Sequence, residues 1–229
     1  MGKVWMLGGI LCVCLVLGGC SGKEEISKAA GWDEQKQEQG VIVPEGFELA
    51  AYEAVLADWA PEKSQEPDAA CFALIYLDED EIPELAVIAG WAHASGVNIY
   101  TCEQGEAVFV GKYGQYGAMG YRPGEGIIFD DYDQGGNLYS RVYQIHRGSA
   151  VLLSSYSLHN QFEEIGESAL YRVDGQEVSR EEYQEESEHW STVGMRVIDY
   201  GMCAPITETD MRQSLQEQFE TLVSAQKEA

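Results

Sequence analysis

The chain has 229 residues, of which 39 are acidic and 14 are lysine or arginine, and its formal net charge is −25 at pH 7. Phosphate contacts need clustered lysine and arginine, so this balance argues against nucleic acid as a partner. Cations, basic surfaces and neutral ligands remain compatible with it, and acidity by itself also keeps a protein soluble.

The first twenty residues predict an export signal. Lys3 precedes the uncharged apolar run Val4–Leu17, and Gly18, Gly19 and Cys20 follow it. The run is shorter than the about 20 apolar residues that a membrane-spanning helix needs. Its length and its small C-terminal neighbours are typical of the apolar core of a cleaved signal peptide.

The residues Leu17-Gly18-Gly19-Cys20 resemble the lipobox of bacterial lipoproteins, which reads Leu-(Ala/Gly/Ser)-(Gly/Ala)-Cys. The resemblance implies cleavage before Cys20, a diacylglyceryl group on its sulfur and usually an acyl group on the new N-terminus. Each buried methylene of such chains contributes about 0.8 kcal/mol, so two or three chains anchor stably. The implied location is the extracytoplasmic side of a cell membrane. An ordinary secretory signal or an uncleaved anchor is the alternative.

The sequence divides into three predicted segments. Residues 1–19 are the lipoprotein signal peptide, residues 20–45 a flexible tether and residues 46–229 a single α+β domain. The tether has almost no apolar clustering, so it cannot bury enough surface to offset its chain entropy. The last segment has a length that suits one domain with one core.

The domain is predicted to begin with a helix over Glu45–Ala60, where apolar residues recur at helical spacing before Pro61. Eight strands are predicted next: Cys71–Leu77, Leu85–Ala89, Val97–Cys102, Ala107–Tyr113, Ala118–Tyr121, Ile127–Asp131, Leu138–His146 and Ala150–Ser157. Glycine-containing turns separate them at intervals of roughly 8–12 residues, which is typical of an antiparallel meander. No helical pattern lies between them, so parallel connections are disfavoured.

The C-terminal part is predicted to add a hairpin, a helix, a strand and a final helix. Asp174-Gly175 has hairpin-turn chemistry, and Ser179 with Glu182 forms a capping box. The predicted ranges are a hairpin over Tyr171–Val178, a helix over Arg180–Trp190, a strand over Met195–Tyr200 and a last helix capped by Thr207 or Thr209. The expected fold is α+β, with a curved antiparallel sheet (a meander) flanked by N- and C-terminal helices.

One acidic segment indicates a metal site. Residues 76–85 read Tyr-Leu-Asp-Glu-Asp-Glu-Ile-Pro-Glu-Leu. They resemble the calcium loops of exported bacterial proteins and of integrin-type repeats, which read Asp-x-Asp-Gly-Asp-Gly-x-Pro-Glu-Leu between two strands. The resemblance implies Asp78, Asp80 and Glu84 as ligands of calcium, a hard cation that takes six to eight oxygen ligands. It extends to lipoproteins of Gram-positive bacteria that carry one such loop before a meander.

The segment departs from that pattern at three positions. Tyr76 stands where the first aspartate belongs, and Glu79 and Glu81 stand where the turn glycines belong. We expect Glu81 to resist a left-handed backbone conformation, which favours glycine. A solvated acidic turn in an inherited strand–loop–strand unit is the alternative. A second acidic run, Asp130–Asp133 before Asn137, also has the spacing of a cation loop, although a hairpin turn is the favoured interpretation.

Aromatic rings alternate with glycine between Tyr113 and Tyr121, and Trp91 lies in a predicted neighbouring loop. Rings exposed by small neighbours form platforms for sugars or peptides. We therefore predict Trp91, Tyr116 and Tyr121 as the surface for a glycan, peptide or protein ligand. In the alternative interpretation the glycines accommodate bends of the sheet and the rings are structural.

No catalytic residue is assigned. The chain contains neither a Gly-x-Ser-x-Gly elbow nor a His-Glu-x-x-His zinc helix, and His93 is interpreted as a solvent-facing loop residue. The predicted function is that of a membrane-anchored extracytoplasmic lipoprotein acting as a binding or interaction module. The alternatives are a calcium-dependent surface module and a cell-envelope hydrolase that uses paired carboxylates. No cofactor other than calcium is predicted.

After Cys20, the cysteines of the domain are Cys71, Cys102 and Cys203. Three thiols allow at most one internal disulfide, and the sequence prefers no pair.

Overall fold

The computed structural model describes residues 43–44, 47–60, 70–159, 169–190, 193–207 and 210–228. These residues form three α-helices and twelve strands, and the strands make two antiparallel sheets. The predicted signal peptide, Cys20 and most of the predicted tether lie outside the described residues. The α+β class, with antiparallel strands flanked by helices from both ends of the domain, is confirmed.

The helices are α1 Leu49–Trp59, α2 Arg180–His189 and α3 Met211–Glu228. The strands are β1 Cys71–Ile75, β2 Glu84–Ile88, β3 Val97–Glu103, β4 Glu106–Tyr113, β5 Ala118–Arg122, β6 Ile127–Gln134, β7 Asn137–His146, β8 Ser149–His159, β9 Leu170–Val173, β10 Gln176–Val178, β11 Arg196–Asp199 and β12 Ala204–Pro205. One sheet has five strands in the order β12-β1-β2-β3-β4, and the other has seven in the order β10-β9-β8-β7-β6-β5-β11.

The meander passes from the five-stranded to the seven-stranded sheet between β4 and β5. Gly114 and Gly117 in this connection have φ values of 70° and 67°. A Cβ on Gly114 would lie 1.9 Å from the carbonyl oxygen of Ala118, and one on Gly117 would lie 2.5 Å from that of Gly90. Only glycine fits both positions, so the chain bends sharply here and the meander occupies two sheets.

The short hairpins follow the turn chemistry of the sequence. Gln104-Gly105, Gly135-Gly136, Arg147-Gly148 and Asp174-Gly175 each join two strands, and both residues of every pair have positive φ. Such two-residue turns match the right-handed twist of paired strands. The predicted glycine turns are confirmed at these four positions.

The five-stranded sheet lies between the helices α1 and α3 and the other sheet. On its helical face, Phe72 and Leu85 pack in one buried cluster with Leu56 of α1 and with Leu215 and Phe219 of α3. The opposite face packs against the seven-stranded sheet, and that cluster joins residues of both: Ile75, Ile88, Ile99, Ile128 and Ile145. A smaller cluster, with Phe129, Val142 and Trp190, lies on the far face of the seven-stranded sheet.

The helix boundaries differ from the predicted ones mainly at the N-terminal ends. Helix α1 begins at Leu49, and Glu48 before it makes no side-chain cap. The predicted capping box of α2 is confirmed, because the Glu182 amide donates to Ser179 Oγ at 3.2 Å and the Ser179 amide donates to Glu182 Oε2 at 2.8 Å. Helix α3 begins at Met211, so Asp210 stands where Thr207 or Thr209 was expected.

Candidate functional site

The acidic loop, defined here as residues 76–83, joins β1 to β2 at the closed end of a buried hairpin. The register pairs Ile75 with Glu84, so the first residue of β2 lies directly at the mouth of the loop. One carboxylate oxygen from each of Asp78, Asp80 and Glu84 lies within 4.8 Å of the other two. The structure therefore brings together the three residues that the sequence predicted as metal ligands.

Hydrogen bonds from the backbone to side chains give the loop its shape. The Asp80 amide donates to Asp78 Oδ1 at 3.0 Å, and the Ile82 amide donates to Asp80 Oδ1 at 2.9 Å. Each is an Asx turn, in which an aspartate accepts from the backbone two residues later. Two such turns in succession curl the chain and direct the carboxylates inward.

Glu81 has a φ of 64° and lies in the left-handed region. The expectation that this glutamate would resist the conformation was wrong. The hydrogen bonds that the two aspartates accept fix the backbone on the N-terminal side, and the hairpin register fixes it on the other side. The backbone of the loop therefore adopts at Glu81 the left-handed conformation that glycine allows in the calcium loops that this segment resembles.

Glu84 is the most deeply buried of the three acids, with 1% of its surface exposed. The Leu77 amide donates to its Oε2 at 2.9 Å, and the Thr101 hydroxyl donates to its Oε1 at 3.4 Å. The preceding carbonyl, that of Pro83, accepts from the buried Tyr52 hydroxyl at 2.8 Å. Glu84 and its neighbour therefore tie the loop to β3 and to helix α1.

Two hairpin turns of the seven-stranded sheet close over the loop. The amide of Gly126 donates to the carbonyl of Leu77 at 2.7 Å, and the amide of Arg147 donates to Asp78 Oδ2 at 3.4 Å. A Cβ at Gly126 would lie 2.4 Å from the carbonyl oxygen of Ile145. The absence of a side chain at Gly126 therefore lets this turn lie close against β7, in the position from which its amide reaches the loop. The site consequently draws on both sheets.

Little positive charge compensates the acidic loop: the charge of Arg147 lowers the pKa of Asp80, as the smallest of its causes. Asp78 is 7% exposed, and no lysine, arginine or histidine within the described ranges forms an ion pair with Asp78, Asp80 or Glu84. Burial raises the pKa of Glu84 well above its usual range, and the charges of Asp78 and Asp80 add to the rise. Burial also raises the pKa of Asp80, with Asp78 as a further cause. The site therefore favours any species that brings positive charge.

The donor set fits a hard divalent cation. Carboxylate oxygens are the ligands that such ions prefer. An ionised carboxylate has about four lone-pair positions, so an oxygen that accepts one hydrogen bond can still coordinate an ion. The bonds from Leu77, Thr101, Ile82 and Arg147 orient the carboxylates in the way that outer-shell contacts orient metal ligands. The group of Asp78, Asp80 and Glu84 could thus hold a metal ion.

A cleft of about 620 Å³ opens beside the loop. Its walls come from the end of β1, from the acidic loop, from the seven-stranded sheet and from the C-terminal half of α3: Leu74, Ile75, Tyr76, Asp78, Glu79, Glu81, Tyr121, Pro123, Gly124, Arg196, Leu222 and Ala225. Burial raises the pKa of the Tyr76 hydroxyl, and the charges of Glu81 and Glu84 add to this. The cleft combines acidic groups on one wall with Arg196 on another.

The three predicted ring residues do not share one surface. Trp91 is 76% exposed and Tyr116 is 50% exposed, whereas Tyr121 is only 7% exposed. Tyr121 packs in the core cluster with Met119 and Ile198. Burial raises the pKa of its hydroxyl, against a lowering influence of Arg196. Trp91 and Tyr116 are therefore the two exposed rings of the three, and Tyr121 reaches only the cleft.

The sequence analysis did not predict the polar contacts that lie around the exposed ring of Tyr116 and the loop of Trp91. His93 Nε2 lies 3.0 Å from the carbonyl oxygen of Asp133, and its ring meets Tyr116 edge-on at 4.9 Å between centroids. Gln115 Oε1 accepts from the Asp133 amide at 3.1 Å. These contacts join the loop of Trp91 to the end of β6. They are long-range, so the sequence around His93 carried no signal for them.

The second acidic run forms strand and hairpin, as the favoured interpretation predicted. Asp130–Asp133 lie in β6, and the turn follows at Gly135-Gly136. Asp130 forms an ion pair with Arg141 at 2.6 Å and accepts from the Gly114 amide at 2.7 Å. Within the described part of the chain, only the acidic loop gathers three side chains that could hold a metal ion.

No protein-family model, curated protein or solved structure matches this chain. Of the helices that the structure describes, none combines the length and the apolar character needed to cross a membrane.

Proposed function

We propose that this chain is an exported lipoprotein, anchored through acyl groups on Cys20, whose folded domain is a binding module that depends on calcium. The lipobox and the apolar run before it support the anchor. The convergence of Asp78, Asp80 and Glu84, of which Asp78 and Glu84 are buried and none has an ion-pair partner in the described residues, supports the calcium site. This convergence is the observation that carries the proposal.

Calcium would organise the loop that forms one wall of the cleft. Without a cation, three carboxylates lie within 4.8 Å of one another in a largely buried site. A bound divalent ion offsets that repulsion and favours the conformation in which Glu79 and Glu81 face the cleft. The role of the ion is then to hold this wall of the cleft in place and to stabilise the domain that carries the proposed ligand surface.

The proposed ligand is a glycan or peptide that contacts the rings of Trp91 and Tyr116. Exposed rings supply flat apolar area, and Asp133 and Gln115 nearby supply hydrogen-bonding groups. Trp91→Ala should abolish binding in a glycan and peptide panel without lowering the melting temperature, because the indole is exposed.

A hydrolase is a weaker interpretation of the same carboxylates. Glycosidases place their two carboxyl groups about 5–10 Å apart so that a sugar and a water molecule fit between them. Here oxygens of Asp78, Asp80 and Glu84 lie within 4.8 Å, and Glu84 is occupied by Leu77 and Thr101. This spacing favours holding a cation.

The calcium proposal is tested by melting the full chain, purified in detergent, in excess chelator and in calcium. A ligand at 100 times its Kd stabilises the folded state by about 2.7 kcal/mol, so a rise of several degrees is expected. Asp78→Asn with Asp80→Asn should abolish the rise. Asp133→Asn, in the other acidic run, is the matched control and should retain it. An equal response of both variants would contradict the proposal.

The anchor is tested separately in cells. Cys20→Ser should release the chain from the membrane fraction and prevent labelling by a fatty-acid probe, whereas Cys102→Ser should change neither. Recovery of the native chain from the cytosol, or with an unmodified Cys20 thiol, would contradict the lipid anchor.

A further inference from the structure

The three thiols of the described domain lie on two different sides of the five-stranded sheet. Cys102 packs in the cluster that faces the helices α1 and α3. Cys71 belongs to the cluster between the two sheets, and Cys203 packs against that same cluster. The sheet therefore separates Cys102 from the other two, and one pairing remains.

The register of β1 with β12 places Cys71 and Cys203 on the same face of the sheet, with Cys203 two positions before the residue that pairs with Cys71. Cys71 pairs with Pro205 and Phe72 with Ala204, and the Ile206 amide donates to the Ala70 carbonyl at 3.1 Å. Cys203 precedes β12 with extended backbone, at φ −98° and ψ 151°. Side chains alternate along extended backbone, so Cys203 shares a face with Pro205 and hence with Cys71.

Cys71 and Cys203 are both free thiols in the structure, and the Cys71 thiol faces the chain just before Cys203. Cys71 Sγ donates to the Tyr200 carbonyl at 3.8 Å, which directs it at the segment that carries Cys203. The two thiols also share a hydrogen bond, which lowers the pKa of Cys71 and raises the pKa of Cys203. Burial adds to the rise at Cys203.

We propose that Cys71 and Cys203 form a disulfide when the exported chain meets a disulfide oxidant, and that Cys102 stays reduced. The physiological part of this inference rests on the proposed extracytoplasmic location, since disulfides persist in oxidising compartments. The bond would join the two-residue strand β12 to β1. It would thereby fix the position of residues 200–203, which connect β11 in the seven-stranded sheet to β12 in the five-stranded sheet.

The chemistry is thiol–disulfide exchange. Cys203 is partly exposed and Cys71 is buried, so the oxidant reaches Cys203 first although the pKa of Cys203 is raised. The Cys203 sulfur loses its proton, attacks one sulfur of the oxidant and releases the other as a thiolate. The Cys71 sulfur then loses its proton, attacks Cys203 Sγ in the mixed disulfide and releases the second thiolate. The two cysteines together lose two protons and two electrons. The oxidant gains them and becomes two thiols.

The test uses the full chain in detergent, equilibrated with oxidised or with reduced glutathione. Peptide mapping without reductant should find the peptides of Cys71 and Cys203 linked and lighter by two hydrogens. Cys102 should react with maleimide once the chain is unfolded. Reduction should lower the melting temperature by about 4–16 °C, from the usual contribution of a disulfide in a domain of this size.

Cys102→Ser is the matched control and should keep both the linked peptides and the response to reduction. A link that includes Cys102, or three free thiols after oxidation, would overturn the assignment; the mapping uses the unaltered chain, so the result does not depend on a variant that folds. A link that forms in glutathione but is missing from the native host would confirm the pair and count against the proposed location.

Discussion

Two acidic runs of this chain have similar composition and contrasting structures. In the acidic loop, the carboxylates of Asp78, Asp80 and Glu84 converge within 4.8 Å. In β6, the acids of Asp130–Asp133 are distributed along a strand. The comparison shows that the density of acidic residues does not make a cation site. The backbone conformation decides whether their side chains meet.

The difference follows from the two backbones. Successive side chains of a strand point to opposite faces of the sheet, so the carboxylates of Asp130 and Asp131 point away from each other. On the neighbouring strand β7, Asp130 pairs with Arg141 and Asp131 pairs with Ser140. In the loop, Asx turns and the left-handed Glu81 curl the chain. Carboxylates two and four residues apart then fall on the same side.

The two runs also differ in how their charge is balanced. The Asp130 carboxylate meets Arg141 at 2.6 Å, and the guanidinium lies 5.0 Å from the ring centroid of Tyr132. Asp78 and Glu84 are equally buried but lack an ion-pair partner among the described residues. In the strand an ion pair within the protein balances the charge of Asp130. In the loop no ion pair does so, and a bound cation or a proton would balance the charge.

The largest loss of stability is expected when the arginine that pairs with Asp130 in the strand is removed. Arg141→Ala leaves the buried Asp130 carboxylate unpaired and removes the contact with Tyr132. Breaking a fully buried pair costs about 3–5 kcal/mol, but solvent screens this one because the Arg141 side chain is 42% exposed. We expect a loss of about 2 kcal/mol in the free energy of unfolding, measured in urea.

Arg172→Ala, on the outer strand β9, is the matched control and should change stability by less than about 0.5 kcal/mol. Adding Asp130→Asn to Arg141→Ala should restore part of the loss, because it removes the unpaired charge. If the two arginine variants lose the same amount, the strand does not depend on its ion pair.

In the acidic loop, removal of a buried charge is expected to change stability by a smaller amount and to increase it. The pKa of Glu84 is raised in the folded state, chiefly by burial, so the folded state binds the proton more tightly than the unfolded state does. The stabilisation is complete below the ordinary glutamate pKa, about 4.3, and is lost as pH rises toward the raised value. In chelator, the native chain should therefore lose stability as the pH rises above about 4.3.

Glu84→Gln removes this charge and keeps an oxygen that can accept from the Leu77 amide. In chelator at pH 7 we expect a gain of about 1 kcal/mol and a flatter pH profile. Calcium should no longer stabilise the variant. Glu177→Gln, at an exposed position of β10, is the control and should reproduce the native profile. A loss of stability at pH 7 with an unchanged profile would show that the carboxylate is satisfied without a cation.

Much of the fold was predictable because its signals are local. The turn Asp174-Gly175 and the capping box of Ser179 and Glu182 each depend on a few neighbouring residues. The passage between the two sheets at Gly114 and Gly117 was not predicted, because it depends on how distant strands pack. A glycine-rich stretch is also compatible with a bend inside one sheet.

The candidate site was predictable in part for the same reason. The resemblance of residues 76–85 to a calcium loop implied Asp78, Asp80 and Glu84 as ligands, and the structure brings these three side chains together, because the pattern is local in sequence. The exposure of Tyr121 could not be read from its neighbours, because residues of other strands bury it. Arg196 of β11 reaches the cleft from more than a hundred residues away in sequence, and no nearby motif marks it.

The smallest expected change in stability comes from the backbone conformation of the loop at Glu81, where the expectation from the sequence was wrong. Glu81 has a φ of 64°, and the left-handed region costs a residue with a side chain about 1 kcal/mol or more. Glu81→Gly relieves that cost but adds freedom to the unfolded chain, so we expect a net gain of about 0.5 kcal/mol in urea.

Glu79→Gly removes the same charge from the same loop at a position without positive φ, and it should lose about 0.5–1 kcal/mol. The contrast between the two variants separates backbone conformation from charge, because both lower the acidity of the loop equally. Equal changes in stability would mean that charge governs the loop. A gain confined to Glu81→Gly would show that the glutamate is tolerated at this turn at a cost in stability, because the hydrogen bonds of Asp78 and Asp80 hold the backbone around it.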